Sequence, residues 1–291
     1  MNRITRCLVS GTIFLCAGTM AIAQESSDVT TPPPKVLLVQ REFLKPGKSG
    51  TIHEKSESAF VQAFTRAKWP THYFAVNALT GKPRVLFLVG YDSFESWEKD
   101  NAAMAKNKTL SAAYDRAITA DGDLLSEQDQ TVLVYNDDQS LNSAVDIAHM
   151  RYFEISAYRV RAGHRHEWEE LVKLVKSAYE NIPDMHWAEF DAMYGQEGSI
   201  HIVFFPMKSL KEVDEGFAKD KQFVSALGED GMKRLEELES AAIESNHTNL
   251  FQFSPSMSYP RDEWVKADPD FWKPHAAAAP MRPEAKSASK H

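Results

Sequence analysis

Cysteine is nearly missing from this chain. Two occur in 291 residues, and both, Cys7 and Cys16, lie in the opening stretch. Beyond residue 16 there is no thiol. That excludes disulfides, a thiolate nucleophile, cysteine-ligated zinc and iron–sulfur clusters from the rest of the chain. Runs of lysine or arginine are lacking too. The 33 basic residues are outnumbered by 41 acidic ones, for a formal net charge of −8, and a chain of that sign repels nucleic acid and anionic lipid. After the opening stretch no apolar run is long enough to span a bilayer. Nor is there a glycine-rich phosphate loop, a G-x-S-x-G elbow or an H-E-x-x-H pair.

The opening stretch does carry a targeting pattern. Arg3 and Arg6 precede an apolar run from Cys7 to Ala17, and Ala21-Ile22-Ala23 supplies a small-x-small cleavage motif. Residues 1–23 therefore read as a cleaved secretory signal, and the protein is expected to be secreted or periplasmic. The run is shorter than the ~20 residues a membrane span needs. Phe14 and Leu15 are too large for a lipoprotein signal ending at Cys16. Cleavage removes two of the basic residues and none of the acids, so the remaining chain is more acidic still.

The body of the chain repeats itself. THYFAVNALTG (Thr71–Gly81) returns as MHWAEFDAMYG (Met185–Gly195), with His72 over His186, Tyr73 over Trp187 and Asn77 over Asp191. RVLFLVGYDSFESW (Arg84–Trp97) lies over IHIVFFPMKSLKEV (Ile200–Val213), and FLKPGK (Phe43–Lys48) over RVRAGH (Arg159–His164). A period of roughly 110 residues is too long for a solenoid, so two domains of one fold is the plainer reading. Each copy opens with a strand, Val36–Leu44 or Arg151–Val160. An amphipathic helix follows, Thr51–Lys68 or His166–Asn181. Two strands around a Gly turn come next: Thr71–Leu79 with Arg84–Tyr91, and Met185–Met193 with Ser199–Met207. Ser93 and Ser209 are candidate N-caps of a second helix, although Ser93-x-x-Ser96 lacks the capping-box Glu. Further helical stretches, Leu110–Leu125 and Met232–Glu244, lead to the last strands, Thr131–Tyr135 and Thr248–Phe253. The order is βαββαβ twice, an α+β chain of two tandem ferredoxin-like domains. The expected boundaries are a linker at 24–35 with Pro32–Pro34, domains at 36–136 and 149–255 joined by 137–148, and an aromatic, proline-rich strap and disordered tail at 256–291.

This order, with a Gly turn after the first strand, resembles the dimeric α/β-barrel superfamily, including its antibiotic-biosynthesis-monooxygenase-like, NIPSNAP-like and EthD-like families. The resemblance covers roughly residues 35–255 and rests on structural rather than catalytic motifs. It implies that two four-stranded sheets face each other around a barrel, here built by the two halves of one chain. It also implies a strand order of 4-1-3-2 in each sheet.

A strand alternates its side chains between two faces. The apolar face, such as Phe153, Ile155 and Ala157, is expected to meet the helices. The polar face is expected to line the lumen. In the second half that face carries Glu154, Ser156 and Tyr158, then His201, then Trp187, Glu189, Asp191 and Met193. The first half offers Gln40, Glu42, Tyr73 and Asn77. Crowded carboxylates raise one another's pKa and hold a proton for transfer. A His beside two acids also suits hard-metal or facial-triad ligation, and the aromatic rings suit a planar ligand. A merely solvated sheet face is the alternative. His164 and His166 read as solvent-exposed, and His72 and His186 as structural. Some superfamily members use haem, for which His201 is the lumen-side histidine to nominate.

The sequence thus points to an exported small-molecule-binding protein with a polar barrel lumen. It assigns no cofactor and no metal ligands, and leaves oligomeric state open. The alternatives are a cofactor-independent oxygenase or isomerase, a haem-linked enzyme of the barrel type, and a non-catalytic scaffold that uses its aromatic tail as a partner surface.

Overall fold

The computed structural model describes residues 30–273. The expected signal, residues 1–23, and the expected tail at 275–291 lie outside the described residues. The first half runs β1 (Val36–Leu44), α1 (Thr51–Ala67), β2 (Tyr73–Ala78), β3 (Arg84–Tyr91), α2 (Phe94–Lys106), α3 (Lys108–Gly122) and β4 (Leu125–Tyr135). The second runs β5 (Tyr152–Val160), α4 (Arg165–Tyr179), β6 (Ala188–Tyr194), β7 (Ser199–Met207), α5 (Lys211–Ala242) and β8 (Ile243–Tyr259). Two short helices follow, α6 (Asp262–Ala267) and α7 (Pro269–Trp272). Among the described residues no helix is long and apolar enough to cross a membrane.

Local signals explain the helix starts. Ser93 caps α2 by accepting from the Ser96 amide at 3.1 Å, and Ser96 takes the reciprocal role usually given to Glu, accepting from the Ser93 amide at 3.1 Å. Asn107 ends α2 and caps α3 through the Leu110 amide, at 3.1 Å. Ser209 does not cap α5. The Glu212 carboxylate accepts from the Lys208 and Ser209 amides instead, at 2.7 and 3.3 Å.

The eight strands close into one barrel in the order β1-β3-β2-β8-β5-β7-β6-β4. Each half contributes a four-stranded sheet of order 4-1-3-2, as expected. The seams join β2 to β8, where Val76 faces Phe253, and β4 to β6, where Val134 faces Asp191. The repeated glycines belong to these seams. Gly81 and Gly195 turn their hairpins at φ +76° and +82°, values that favour glycine. A Cβ at Gly81 would stand 2.6 Å from Asn249 Oδ1 on β8, and one at Gly195 would collide with the Gln130 carbonyl oxygen on β4. Each hairpin therefore lies against the last strand of the other half.

The faces are the reverse of the expectation. One core cluster takes side chains from all eight strands, among them Leu37, Val76, Leu88, Leu133, Phe153, Phe190, Phe204 and Phe253, and none from α1–α5. That is the barrel interior, and it is apolar. Trp264 and Trp272 of α6 and α7 pack into the same cluster and plug one end. The aromatic strap is thus part of the core. The opposite faces meet the helices, α1 against Ala75, Val85 and Phe87, and α4 and α5 against Val160. The residues proposed for the lumen share that outer face. An eight-stranded barrel is just wide enough for side chains to fill, and here apolar ones pack it, whereas the layer beneath the helices holds the acids.

Candidate functional site

The second half opens a cavity of about 910 Å3 between its outer sheet face and helices α4 and α5. One side of it is the first segment of α5. Gly228 takes φ 65° and ψ −176° inside α5 and breaks the helix there. After the break, Leu235, Leu238 and Ala242 are buried against the sheet; before it, 211–227 contributes no buried residue. Phe217 in that first segment is 69% exposed. Val213, Phe217 and Asp220 of this segment line the cavity, while Phe223 stacks on Tyr179 of α4. Glu154, Ser156 and Tyr158 of β5 form its floor with Val203 and Phe205 of β7 and Glu189 of β6. Trp168, Val172, Val175 and Tyr179 of α4 and Trp187 form a largely apolar wall.

Register brings three of the expected residues together. Asp191 faces His201 across β6 and β7, and Glu189 lies two residues along the same face. His201 Nδ1 stands 2.9 Å from Glu189 Oε1 and 2.8 Å from Asp191 Oδ1. A protonated Nδ1 donates to both. The Trp168 ring covers the imidazole at 4.6 Å, and Nε2 faces Ser199 Oγ at 3.3 Å. Asn136 donates to Asp191 Oδ2 at 3.1 Å, and Ser140 Oγ accepts from the Glu189 amide at 2.9 Å. The indole N–H groups of Trp168 and Trp187 both donate to Gln139, at 2.9 and 2.8 Å. Glu189 Oε2 is buried and has no partner.

The electrostatics follow. Burial pushes the Glu189 carboxyl up, and Asp191 adds to this, so that despite His201 it reaches about 7. Burial favours the neutral form of His201, yet the Asp191 and Glu189 carboxylates overcome it and raise the imidazole to about 9. Asp191 is desolvated too, but its bond to His201 holds it below its usual value. Burial raises Glu154 and Tyr158. Glu154 lines the same cavity but lies opposite Phe205, apart from the His201 group.

The first half's candidates sit on their own sheet's outer face. Gln40 Nε2 donates to Glu42 Oε1 at 2.6 Å. Tyr73 packs beneath α1 with its hydroxyl buried and unpartnered, and Asn77 does not join them. Sequence reasoning missed what Glu42 meets: His53 and Glu57 of α1 and Asp121 of α3, all buried. The Asp121 and Glu42 carboxylates beside His53 raise it to about 9 against the effect of burial. Burial, then Glu42 and Asp121, push Glu57 well up. The trace in the sequence is His53 and Glu57 standing on the same helical stripe as Phe60 and Ala63.

Among the described residues two groups of donors lie close enough to hold a metal ion, Glu189–Asp191–His201 and Glu42–His53–Glu57–Asp121. In the first, His201 Nδ1 already serves both acids. Haem needs an axial donor, and His201 does not fit that role, because both ring nitrogens are engaged and Trp168 covers the ring. His72 and His186 agree with their reading as structural and His166 with its reading as exposed, whereas His164, also expected to be exposed, is half-buried beside Glu167. His186 donates to the Pro206 carbonyl at 2.7 Å and stacks on Phe205; His72 stacks on Tyr259. His166 is solvent-exposed on the surface of α4.

No protein-family model matches the sequence, and no curated protein matches it. Among solved structures, the chain is similar to a monooxygenase candidate from Fusobacterium nucleatum subsp. nucleatum, at TM-score 0.50 and 10% identity, covering 77% of this chain and 94% of that one. An anthrone oxidase-like protein matches at TM-score 0.47 and 13% identity over 78% and 94%. A mutant chlorite dismutase from Candidatus Nitrospira defluvii matches at 0.46 and 10% over 81% and 97%. At such identities the likeness speaks for fold. The chain has the dimeric α/β-barrel fold, with both ferredoxin-like units in one polypeptide.

Proposed function

We propose that the protein binds a small, largely aromatic organic molecule carrying a hydrogen-bond donor in the cavity beneath α4 and α5. The observation that carries this is Glu189 Oε2, a buried acceptor without a partner at the wall of a cavity of about 910 Å3. An unsatisfied buried acceptor costs roughly 1–3 kcal/mol, and a donor on the ligand relieves that cost. Trp168, Trp187, Tyr179 and Phe205 supply flat apolar walls, the usual composition of a ligand pocket. Glu154 offers a second acceptor and favours an amine over an acid.

The test is fluorescence titration of the purified protein with 1-naphthylmethylamine and with 1-naphthoic acid. The amine should bind and the acid should not. Glu189→Gln should weaken the amine about tenfold, equivalent to ~1.4 kcal/mol. Equal binding of amine and acid, or none of either, overturns the proposal.

A second reading is favoured by the Glu189 carboxyl lying at about 7. A buried acid balanced at that pH is suited to proton transfer, as a cofactor-independent oxygenase or isomerase would require. Turnover lost in Glu189→Gln with amine affinity retained would select this reading over simple binding.

Export is part of the proposal and is supported by the pattern of residues 1–23 alone. Mass spectrometry of the protein recovered from the periplasm should show a chain beginning at Gln24. A full-length chain in the cytoplasmic fraction would refute it.

A further inference from the structure

The first half holds a second polar group that the cavity does not use. Glu42 on β1, His53 and Glu57 on α1 and Asp121 on α3 are all at most 3% exposed. His53 Nε2 lies 3.1 Å from Glu42 Oε2, 3.5 Å from Asp121 Oδ1 and 3.7 Å from Glu57 Oε1. One donor atom from each of the four lies within 4.8 Å of all the others.

Three carboxylates around one imidazole, out of water, form a poor hydrogen-bonded group. Both Asp121 oxygens, Glu57 Oε1 and His53 Nδ1 have no partner. Buried polar groups are nearly always paired, so a whole carboxylate aimed at its neighbours without a bond calls for a missing partner. Glu42 shows which way the group points. Its Oε1 accepts from the side-chain amides of Gln40 at 2.6 Å and Gln128 at 3.2 Å. Those amides fix the carboxylate and leave Oε2 directed at the group, as outer partners do around metal ligands.

We propose that this group is a structural site for one divalent first-row transition ion of the manganese, iron or zinc class. Donors sharing an ion at 2.0–2.2 Å stand roughly 3–4 Å apart, which is the spacing around His53 Nε2. Imidazole with carboxylates suits these ions. Calcium and magnesium prefer oxygen ligands alone. Burial on every side makes the site closed, so its role is to tie α1 and α3 to β1 and not to present the ion to a substrate. The inference stands independently of the cavity in the second half.

The test uses the full chain, unfolded in chelator and refolded with and without Mn2+ or Zn2+. Metal per chain is read by mass spectrometry of the elements, and melting temperature by circular dichroism. One ion per chain and a higher melting temperature with metal are expected. Asp121→Asn should lose both, while Asp191→Asn, in the second half's group, should keep both. Should Asp121→Asn fail to fold, Asp191→Asn loaded with Mn2+ still decides the matter by pulsed electron paramagnetic resonance, which should show one imidazole nitrogen on the ion. Refolded wild-type protein without stoichiometric metal, a melting temperature indifferent to it, an ion lost in Asp191→Asn or a Mn2+ signal without nitrogen would each overturn the proposal.

Discussion

Gly195 lies so close to the carbonyl of Gln130 that no side chain fits between them. The contact crosses the β4–β6 seam, and it separates two effects that glycines usually combine. Gly163, in the turn before α4, has a similar φ of +87° but open space around it. Gly163→Ala should cost the backbone penalty alone, roughly 1–2 kcal/mol. Gly195→Ala should cost that and a disrupted seam, roughly 3 kcal/mol or more. Urea denaturation of both variants measures the difference. Equal losses would mean that the seam yields freely.

Trp272 should anchor the closed end of the barrel. It is 1% exposed, its indole N–H donates to the Ala148 carbonyl at 2.8 Å, and it packs edge-on against Phe253. Trp272→Ala should destabilise by roughly 3–5 kcal/mol. Trp272→Phe keeps most of the apolar volume and should lose less, mainly the bond to Ala148. Thermal and chemical unfolding measure both.

The strap should also stay docked through Arg151 and Asp268. They form an ion pair, Arg151 lies over the Phe271 ring at 3.8 Å, and Asp268 accepts from the Phe271 amide at 3.3 Å. Arg151→Lys cannot reproduce a planar group stacked on a ring. It should raise proteolysis within α6 and α7 without altering the amine affinity of the cavity. Limited proteolysis followed by mass spectrometry reads the first effect.

The His201 group should make stability depend on pH in the neutral to alkaline range. His201 has a folded pKa of about 9 against an ordinary 6.5. Its contribution is therefore full below pH 6.5 and lost as the pH rises through 9. Glu189, raised from 4.5 to about 7, acts in the same direction, because ionising it in the folded state costs stability between those values. In metal-free protein the unfolding free energy should fall from pH 6.5 to 9, His53, also raised to about 9, adding to the fall, and His201→Gln should remove part of it. Nuclear magnetic resonance should find the His201 ring titrating near 9 and moving down in Asp191→Asn. A ring titrating near 6.5 would contradict the ion pair.

Much of the scaffold was legible in the sequence. The doubled THYFAVNALTG and MHWAEFDAMYG segments, read with alternation and turn residues, suffice for the βαββαβ order; the strand order implied by the resemblance places Glu189, Asp191 and His201 on one face, but it groups Glu154 with them, and Glu154 lies opposite Phe205 instead. Which face turned inward was not legible. Period-2 alternation distinguishes two faces but does not say which one a barrel encloses. That depends on the closed interior being narrow and on Trp264 and Trp272 returning from beyond the repeat to fill it. His53, Glu57 and Asp121 were hidden for a different reason. They occupy core-facing positions of helices, where pattern reading looks for apolar residues, and Asp121 comes from α3, far along the chain from Glu42, His53 and Glu57.

Joining the two units in one chain has a consequence for how the molecule can change. In a barrel made from two identical chains, every substitution is made twice, so a helix that lifts off one sheet must lift off the other. Here a single residue, Gly228, interrupts α5, whereas the corresponding stretch of the first half is divided at Asn107 into two separate helices, α2 and α3. Covalent linkage releases each unit from copying its twin. One half can enclose a buried charged group between its helices and strand, while the other opens a cavity beneath its own helices.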